Sequence, residues 1–319
     1  MLKINPLSTL YVGIDVSSKS NYVCALDFYK NKYINSSFAN NQPGAEELAL
    51  KILECLKEHP DITTIVAALE STSVYSIHIA NYLSSCEELM RFKPYVFVLN
   101  PKCTANYKKS YIGLGKSDPI DAFVIADYAR AGNIESEPWR GSQFLALKRL
   151  TRHRLHLVEC MTREKTYLVS NLYLKFSELQ MLEGDDQPFC DIYGATSSSV
   201  LMEYFSPEEI LDSSEEDLIA FLAKKSRNRI KDISKTADLL KKAARDSYRL
   251  DKALYEPLNV SIASSFNCIE TFKREIKVID NAIEKEIKGL NPNAFIILQS
   301  IDGIGPVFAG GIIAEIGDI

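Results

Sequence analysis

Three β-type runs follow one another almost without a break at the start of this chain, and no other feature narrows its fold as far. LYVGIDVSSKSNYVCALDF is rich in Val, Ile and aromatic residues, alternates, and carries a polar break at residues 17–21. It predicts a strand, a tight turn and a second strand; KYINSSFAN, after a YKN turn, predicts a third. Strands joined this closely pair antiparallel. The pattern then changes. GAEELALKILECLKEH puts Leu48, Leu50, Ile52, Leu53 and Leu56 near helical spacing and stops before Pro60. ITTIVAALE is a short buried strand ending at Glu70, VYSIHIANYLSSC a helix, and PYVFVLNP a strand closed by Pro101. A basic loop over residues 102–116 leads to PIDAFVIADYARAG, a helix ended by Gly132. The order βββ-α-β-α-β-α predicts an α/β fold: a mixed sheet with helices on its faces.

Past Pro138 and Trp139 the period becomes helical. Apolar residues at 147, 150, 157, 161 and 168 follow a seven-residue frame, interrupted by Arg154 and Glu164, which predicts a long coiled-coil-like helix. A second long helical region carries Ile262, Phe266, Ile269, Phe272, Ile276, Ile279, Ile283 and Ile287, and Pro257 is expected to kink or interrupt it. Two antiparallel helices with an insert at about 183–225 make a helical arm over residues 141–290, after a first domain of residues 1–140. The apolar seam of the arm is core or a contact between copies, so a homo-oligomer is expected.

Composition excludes some classes of function. No apolar run approaches the roughly 18–20 residues that span a bilayer, and the N-terminus lacks the apolar core of a signal peptide. Seven cysteines scattered singly, with no CxxC, suit a reducing cytoplasm and argue against a disulfide framework or a zinc site. The net charge of −5 hides a segregation. Residues 102–116 hold four lysines and no acid; residues 147–175 hold seven basic residues against two acids, and residues 224–252 eleven against four. Residues 203–217 hold seven acids and no base. Basic stripes on an acidic chain permit phosphate binding. The contacts expected from them are Lys102, Lys108, Lys109 and Lys116 before the last helix of the sheet domain, and Arg149, Arg152 and Arg154 at the opening of the arm.

Four acids carry the chemistry. Asp15 ends the first strand and Glu70 the fourth, and in a sheet of this order those strands are neighbours. Asp118 and Asp121, in GKSDPIDA, lie one helical turn apart. Each has a plain structural role open to it; Asp118 before Pro119 is expected to cap its helix. Meeting at one sheet edge, the four would instead offer the oxygen ligands that hard divalent cations prefer, in the manner of sites that displace phosphoryl oxygens.

YVGIDVSSKSNYVCALD, ALESTSVYSIHIANYL, VFVLNP and GKSDPIDAFVIADYARAG, taken together over about residues 11–132, resemble the N-terminal domain of the DEDD transposases of the IS one-ten insertion-sequence family. The resemblance implies an RNase H-like (RuvC-like) fold with Asp15, Glu70, Asp118 and Asp121 as catalytic, Mg²⁺- or Mn²⁺-binding acids. It also implies DNA as substrate, a guide ("bridge") RNA as partner, and cleavage and exchange of DNA strands in the cytoplasm. The family motif departs here at Ser117, Pro119 and Ser73, none of which removes a ligand. LQSIDGIGPVFAGGIIAEIGDI resembles the opening of the family's C-terminal domain, which supplies a serine nucleophile further on, so residues 291–319 are expected to be the start of a truncated domain. The alternatives are a RuvC- or RNase H-type nuclease using water, and a non-catalytic nucleic-acid-binding remnant.

Overall fold

The structure, a computed structural model, describes residues 4–316, and the chain forms two compact units, Met1–Ala146 and Leu147–Ile319. In the first, β1 (Thr9–Val16), β2 (Ser20–Leu26), β3 (Lys32–Ala39), β4 (Thr64–Glu70) and β5 (Tyr95–Leu99) make one sheet in the order β3-β2-β1-β4-β5. β2 pairs antiparallel with β1 and β3, while β4 runs parallel to β1 and β5. Helices α1 (Gln42–Glu58), α2 (Tyr75–Ser85), α3 (Glu87–Met90), α4 (Pro101–Lys108) and α5 (Asp118–Arg130) complete the unit. This is the RNase H-like mixed α/β sheet expected from the sequence.

Side chains alternate across the sheet. Leu10, Val12 and Ile14 of β1 and Ile65, Ala67 and Leu69 of β4 share a buried core with Leu48 and Ile52 of α1 and Ile79 and Leu83 of α2. Tyr11, Val66, Ala68, Phe97 and Leu99 turn to the opposite face and pack with Ala122, Ile125, Ala126 and Ala129 of α5. By the same alternation Asp15 and Glu70 belong to the α5 face.

One helix differs from expectation. Residues 102–116 do not begin as a loop, because Asn100 and Pro101 start α4 rather than merely closing β5. The Asn100 side chain accepts the Lys102 N–H at 3.0 Å, and proline in the first turn has no N–H to leave unpaired.

The second unit is helical: α6 (Ser142–Lys175) from Leu147 on, α7 (Ala195–Glu203), α8 (Pro207–Asp212), α9 (Glu215–Ser226), α10 (Ile233–Asp246), α11 (Lys252–Leu290), α12 (Pro292–Gln299) and α13 (Pro306–Ile316). The two long helices run antiparallel, since Arg154 of α6 pairs with Asp280 of α11 while Lys175 reaches back to Asn259. Leu168, Leu172 and Phe176 share their core with Ile262, Phe266 and Ile269, and α7 to α10 close over it with Val200, Ile210, Leu218 and Leu240. Pro257 does not interrupt α11. In the second turn its missing N–H removes one bond, to the Ala253 carbonyl, and the helix continues on the strength of its buried stripe. Among the described residues no helix is long and apolar enough to cross a membrane.

Candidate active site

The site is assembled at the end of the sheet where β1 and β4 finish. These strands pair in parallel with Ile14 opposite Leu69, so one further step of the same register sets Asp15 opposite Glu70. Both point to the α5 face, and α5 approaches unusually closely there. A Cβ on Gly13 would lie 2.2 Å from the Ala122 carbonyl oxygen and 2.3 Å from the Ala126 nitrogen. Only a residue without a side chain lets the helix backbone rest on β1 in this way. The contact two residues before Asp15 brings the first turn of α5, with Asp118 and Asp121, beside it.

Capping does not account for the two aspartates on α5. Ser117, not Asp118, occupies the N-cap position, and its carbonyl accepts the N–H groups of Ile120 and Asp121, each at 2.9 Å. No side chain caps this helix, so the expectation that Asp118 does so is corrected: it is the first helical residue, followed by Pro119. Its carboxylate is exposed and makes no hydrogen bond within the described residues.

The four acids share one electrostatic environment. The Asp15 carboxyl is pushed up from 3.8 to about 6, first by burial and then by the charges of Asp118, Asp121 and Glu70, against which Lys116 works. Burial and like charges both disfavour an ionised carboxylate. Two α4 side chains engage the cluster from the other side: Thr104 donates its hydroxyl to Glu70, and Lys108 pairs with Asp121. A cavity of about 470 Å³ opens at this point, lined by Glu70, Thr104, Lys108, Lys116 and Asp121 among others. Among the described residues no three His, Cys, Asp or Glu side chains stand at ligand spacing. The four carboxylates therefore share a field without forming a closed ligand set.

Asp127 escaped the sequence reading. It is fully buried on α5 and accepts hydrogen bonds from Tyr107 at 2.8 Å, from Tyr111, and from Arg130 Nε at 2.6 Å, with Lys30 at 3.2 Å. Burial opposes its charge, but the bonds from Tyr111, Arg130, Tyr107 and Lys30 prevail and hold its pKa below the ordinary value. Asp127 thereby ties α4 and the β2–β3 turn to α5, the helix that carries Asp118 and Asp121. The available signal was an acid enclosed by apolar residues in VIADYA. The same bonds settle the role of Tyr107 and Tyr111. Their hydroxyls point inward and their rings pack edge-on against each other, Tyr128 and Phe123, so they are not open platforms for base stacking.

The basic residues divide. Lys102, Lys109 and Lys116 are exposed, Lys109 donating to Asn106 at 3.0 Å, whereas Lys108 is engaged with Asp121. On α6, Arg149 is exposed, Arg152 binds Glu315 through Nε at 3.0 Å, and Arg154 pairs with Asp280.

No curated protein matches the chain significantly. A family model for the transposase domain of IS110-type DEDD transposases matches residues 12–177, just over half of the chain, and that span contains Asp15, Glu70, Asp118 and Asp121. With its β3-β2-β1-β4-β5 sheet and this match, the chain belongs to the IS110 family of DEDD transposases.

Proposed function

We propose that this protein cleaves and exchanges DNA strands with the help of a divalent cation, Mg²⁺ or Mn²⁺, held by Asp15, Glu70, Asp118 and Asp121. The observation that supports the reading is the geometry at the strand ends, where the β1–β4 register sets Asp15 opposite Glu70 and the Gly13 contact brings the first turn of α5 alongside. The upward shift of Asp15, first by burial and then by the charges of the other three acids, agrees with it. Such mutual repulsion is costly in a protein with no use for it and is relieved by a bound cation. In kind the donor set fits, since four carboxylates are the hard oxygen ligands these ions take, although no three of them stand at ligand spacing among the described residues. When bound, the cation supplies Lewis-acid stabilisation of a phosphate oxygen and activation of the attacking oxygen.

The chain's own residues have distinct tasks in this reading. Thr104 holds Glu70 in one orientation through its hydroxyl. Lys108 balances Asp121 and, with Lys116, presents positive charge to a DNA phosphate entering the cavity. Asp127 fixes α4, and with it Thr104 and Lys108, against α5. A guide RNA, self-association and the contacts of Lys102, Lys109 and Arg149 with nucleic acid belong to the same proposal; sequencing of co-purified nucleic acid and light scattering test the first two.

The decisive experiment is thermal unfolding of the native chain and Asp118→Asn with Mg²⁺ or Mn²⁺ against chelator. A cation at about 100 times its Kd stabilises the folded state by about 2.7 kcal/mol. The native chain should show a rise in Tm that the variant lacks or shows weakly. Equal responses of the two proteins would remove Asp118 from the site, and no response in either would remove the metal.

A further inference from the structure

The densest unpaired positive charge lies in the helical unit, at the corner between α9 and α10. Residues 224–235 read KKSRNRIKDISK, six basic residues and one acid. Lys224, Arg227, Arg229, Lys231 and Lys235 are exposed, and none makes an ion pair among the described residues. The sixth, Lys225, is held by Glu203. The one acid, Asp232, accepts the backbone N–H of Lys235 at 2.9 Å as the N-cap of α10.

The corner has a set shape. Arg227 and Asn228 both take left-handed conformations, φ 53° and 57°, and the turn is closed by Asn228 N–H to the Ala223 carbonyl at 3.0 Å and Arg229 N–H to that of Ser226 at 3.1 Å. Charges on a fixed backbone need less ordering to meet a repeating array of phosphates than charges on a loose loop.

The opening of α6, where the sequence pattern put the phosphate contacts, is different. Glu315 of α13 engages both Lys148, at 2.8 Å, and Arg152, and Asp280 engages Arg154. Arg149 alone of the three arginines is exposed and outside an ion pair among the described residues. A paired arginine must give up its carboxylate before it can meet a phosphate. An unpaired one needs only to exchange water, and its phosphate releases counterions.

We infer that the α9–α10 corner is an interaction surface for the sugar–phosphate backbone of duplex DNA, with Lys224, Arg227, Arg229, Lys231 and Lys235 as its contacts. The inference rests on the reading of the chain as a DNA-acting transposase, which is why DNA rather than RNA is the partner assigned. Lysine and arginine on a helix end and a turn recognise phosphate, not base identity, so binding here is independent of sequence.

The test is fluorescence anisotropy with a duplex of about 30 base pairs over a salt series, for three proteins. They are the native chain, a corner variant (Lys224→Gln, Arg227→Asn, Arg229→Gln, Lys231→Gln, Lys235→Gln) and an α6 variant (Arg149→Gln, Arg152→Gln, Arg154→Gln). Asparagine at 227 tolerates the left-handed backbone. The loop pair Arg229→Gln, Lys231→Gln, lying in no helix, serves as a milder companion. Each phosphate contact contributes about 0.9 to the slope of log affinity against log salt. If three of the five residues engage, the corner variant loses about 2.7 of that slope, so a fourfold rise in salt costs the native chain about 40-fold more affinity than the variant. The loop pair should lose up to about 1.8, and the α6 variant about 0.9, the share of Arg149. An unchanged slope in the corner variant, or a larger change in the α6 variant, overturns this inference alone. Weakened binding of an RNA hairpin with unaltered binding of the duplex overturns it in favour of RNA. A native chain that binds no duplex at any salt overturns both this inference and the DNA reading beneath it, whatever the metal experiment shows.

Discussion

Replacing Asp15 by asparagine should stabilise the protein when no cation is supplied. Asp15 has a pKa of 3.8 in an ordinary environment and about 6 in the folded chain. Its ionised form is therefore disfavoured by folding, by about 3 kcal/mol as an upper figure. The group is partly open to solvent, and screening reduces this to roughly 1.5 kcal/mol. The direction follows from linkage. An acid whose pKa is raised on folding gives stability that is complete below the unfolded pKa and is lost as pH rises through the folded one, here between about 4 and 6. Asparagine carries no charge and avoids the loss. With a few degrees of Tm per kcal/mol for a unit of this size, Asp15→Asn should melt roughly 3–6 °C above the native chain at pH 7.5 in chelator. By pH 5 the advantage should fall to about half, because the native carboxyl is then largely protonated in the folded state. With saturating Mg²⁺ the order should reverse, as the native chain gains a ligand the variant holds poorly. The assay is calorimetry or fluorescence-monitored melting at both pH values, with and without the cation. A variant less stable than the native chain at pH 7.5 in chelator, or a gain that does not change between pH 7.5 and pH 5, would refute the shared-field account of the four acids.

Four other substitutions test the supports of the site. Gly13→Ala must push α5 off β1, since the new methyl would meet backbone at 2.2 and 2.3 Å; a loss of about 2–4 kcal/mol in urea unfolding is expected, together with weaker Mg²⁺ stabilisation. Asp127→Asn leaves Lys30 and Arg130 facing a neutral amide and should cost about 3–5 kcal/mol, with Tyr111→Phe nearer 1 kcal/mol; because the Asp127 pKa is lowered on folding, its contribution holds above the unfolded pKa of 3.8 and fades as pH falls below it, so native and variant should converge in acid. Lys108→Ala removes the cation that competes for Asp121, so it should tighten Mg²⁺ binding in a calorimetric titration while weakening DNA binding; a loss of both would make Lys108 a structural support instead.

Much of the architecture could be read from local pattern, because strand alternation and helical spacing are properties of neighbouring residues. Short turns among three strands, then strand–helix alternation, led to the mixed sheet, and its strand order already set Asp15 and Glu70 at the ends of neighbouring strands. The spacing of Asp118 and Asp121 put them on one turn of helix. What no local pattern contained is where that turn lands. Gly13 could be read as a residue without a side chain, but not as the point where the backbone of α5 touches β1 more than a hundred residues earlier in the chain, and that contact decides whether four acids meet. The helical start at Asn100–Pro101 was missed for a milder reason: the same dipeptide closes a strand and caps a helix, and only the Lys102 N–H distinguishes the two. Partners far apart in sequence were hidden altogether. Asp127 with Lys30 is 97 residues distant, Arg154 with Asp280 is 126, and Arg152 with Glu315 is 163. Charge counted along the chain made α6 a basic stripe; pairing in space neutralises much of it and leaves the α9–α10 corner exposed, because an ion pair depends on the distance between two side chains and periodicity records only their order.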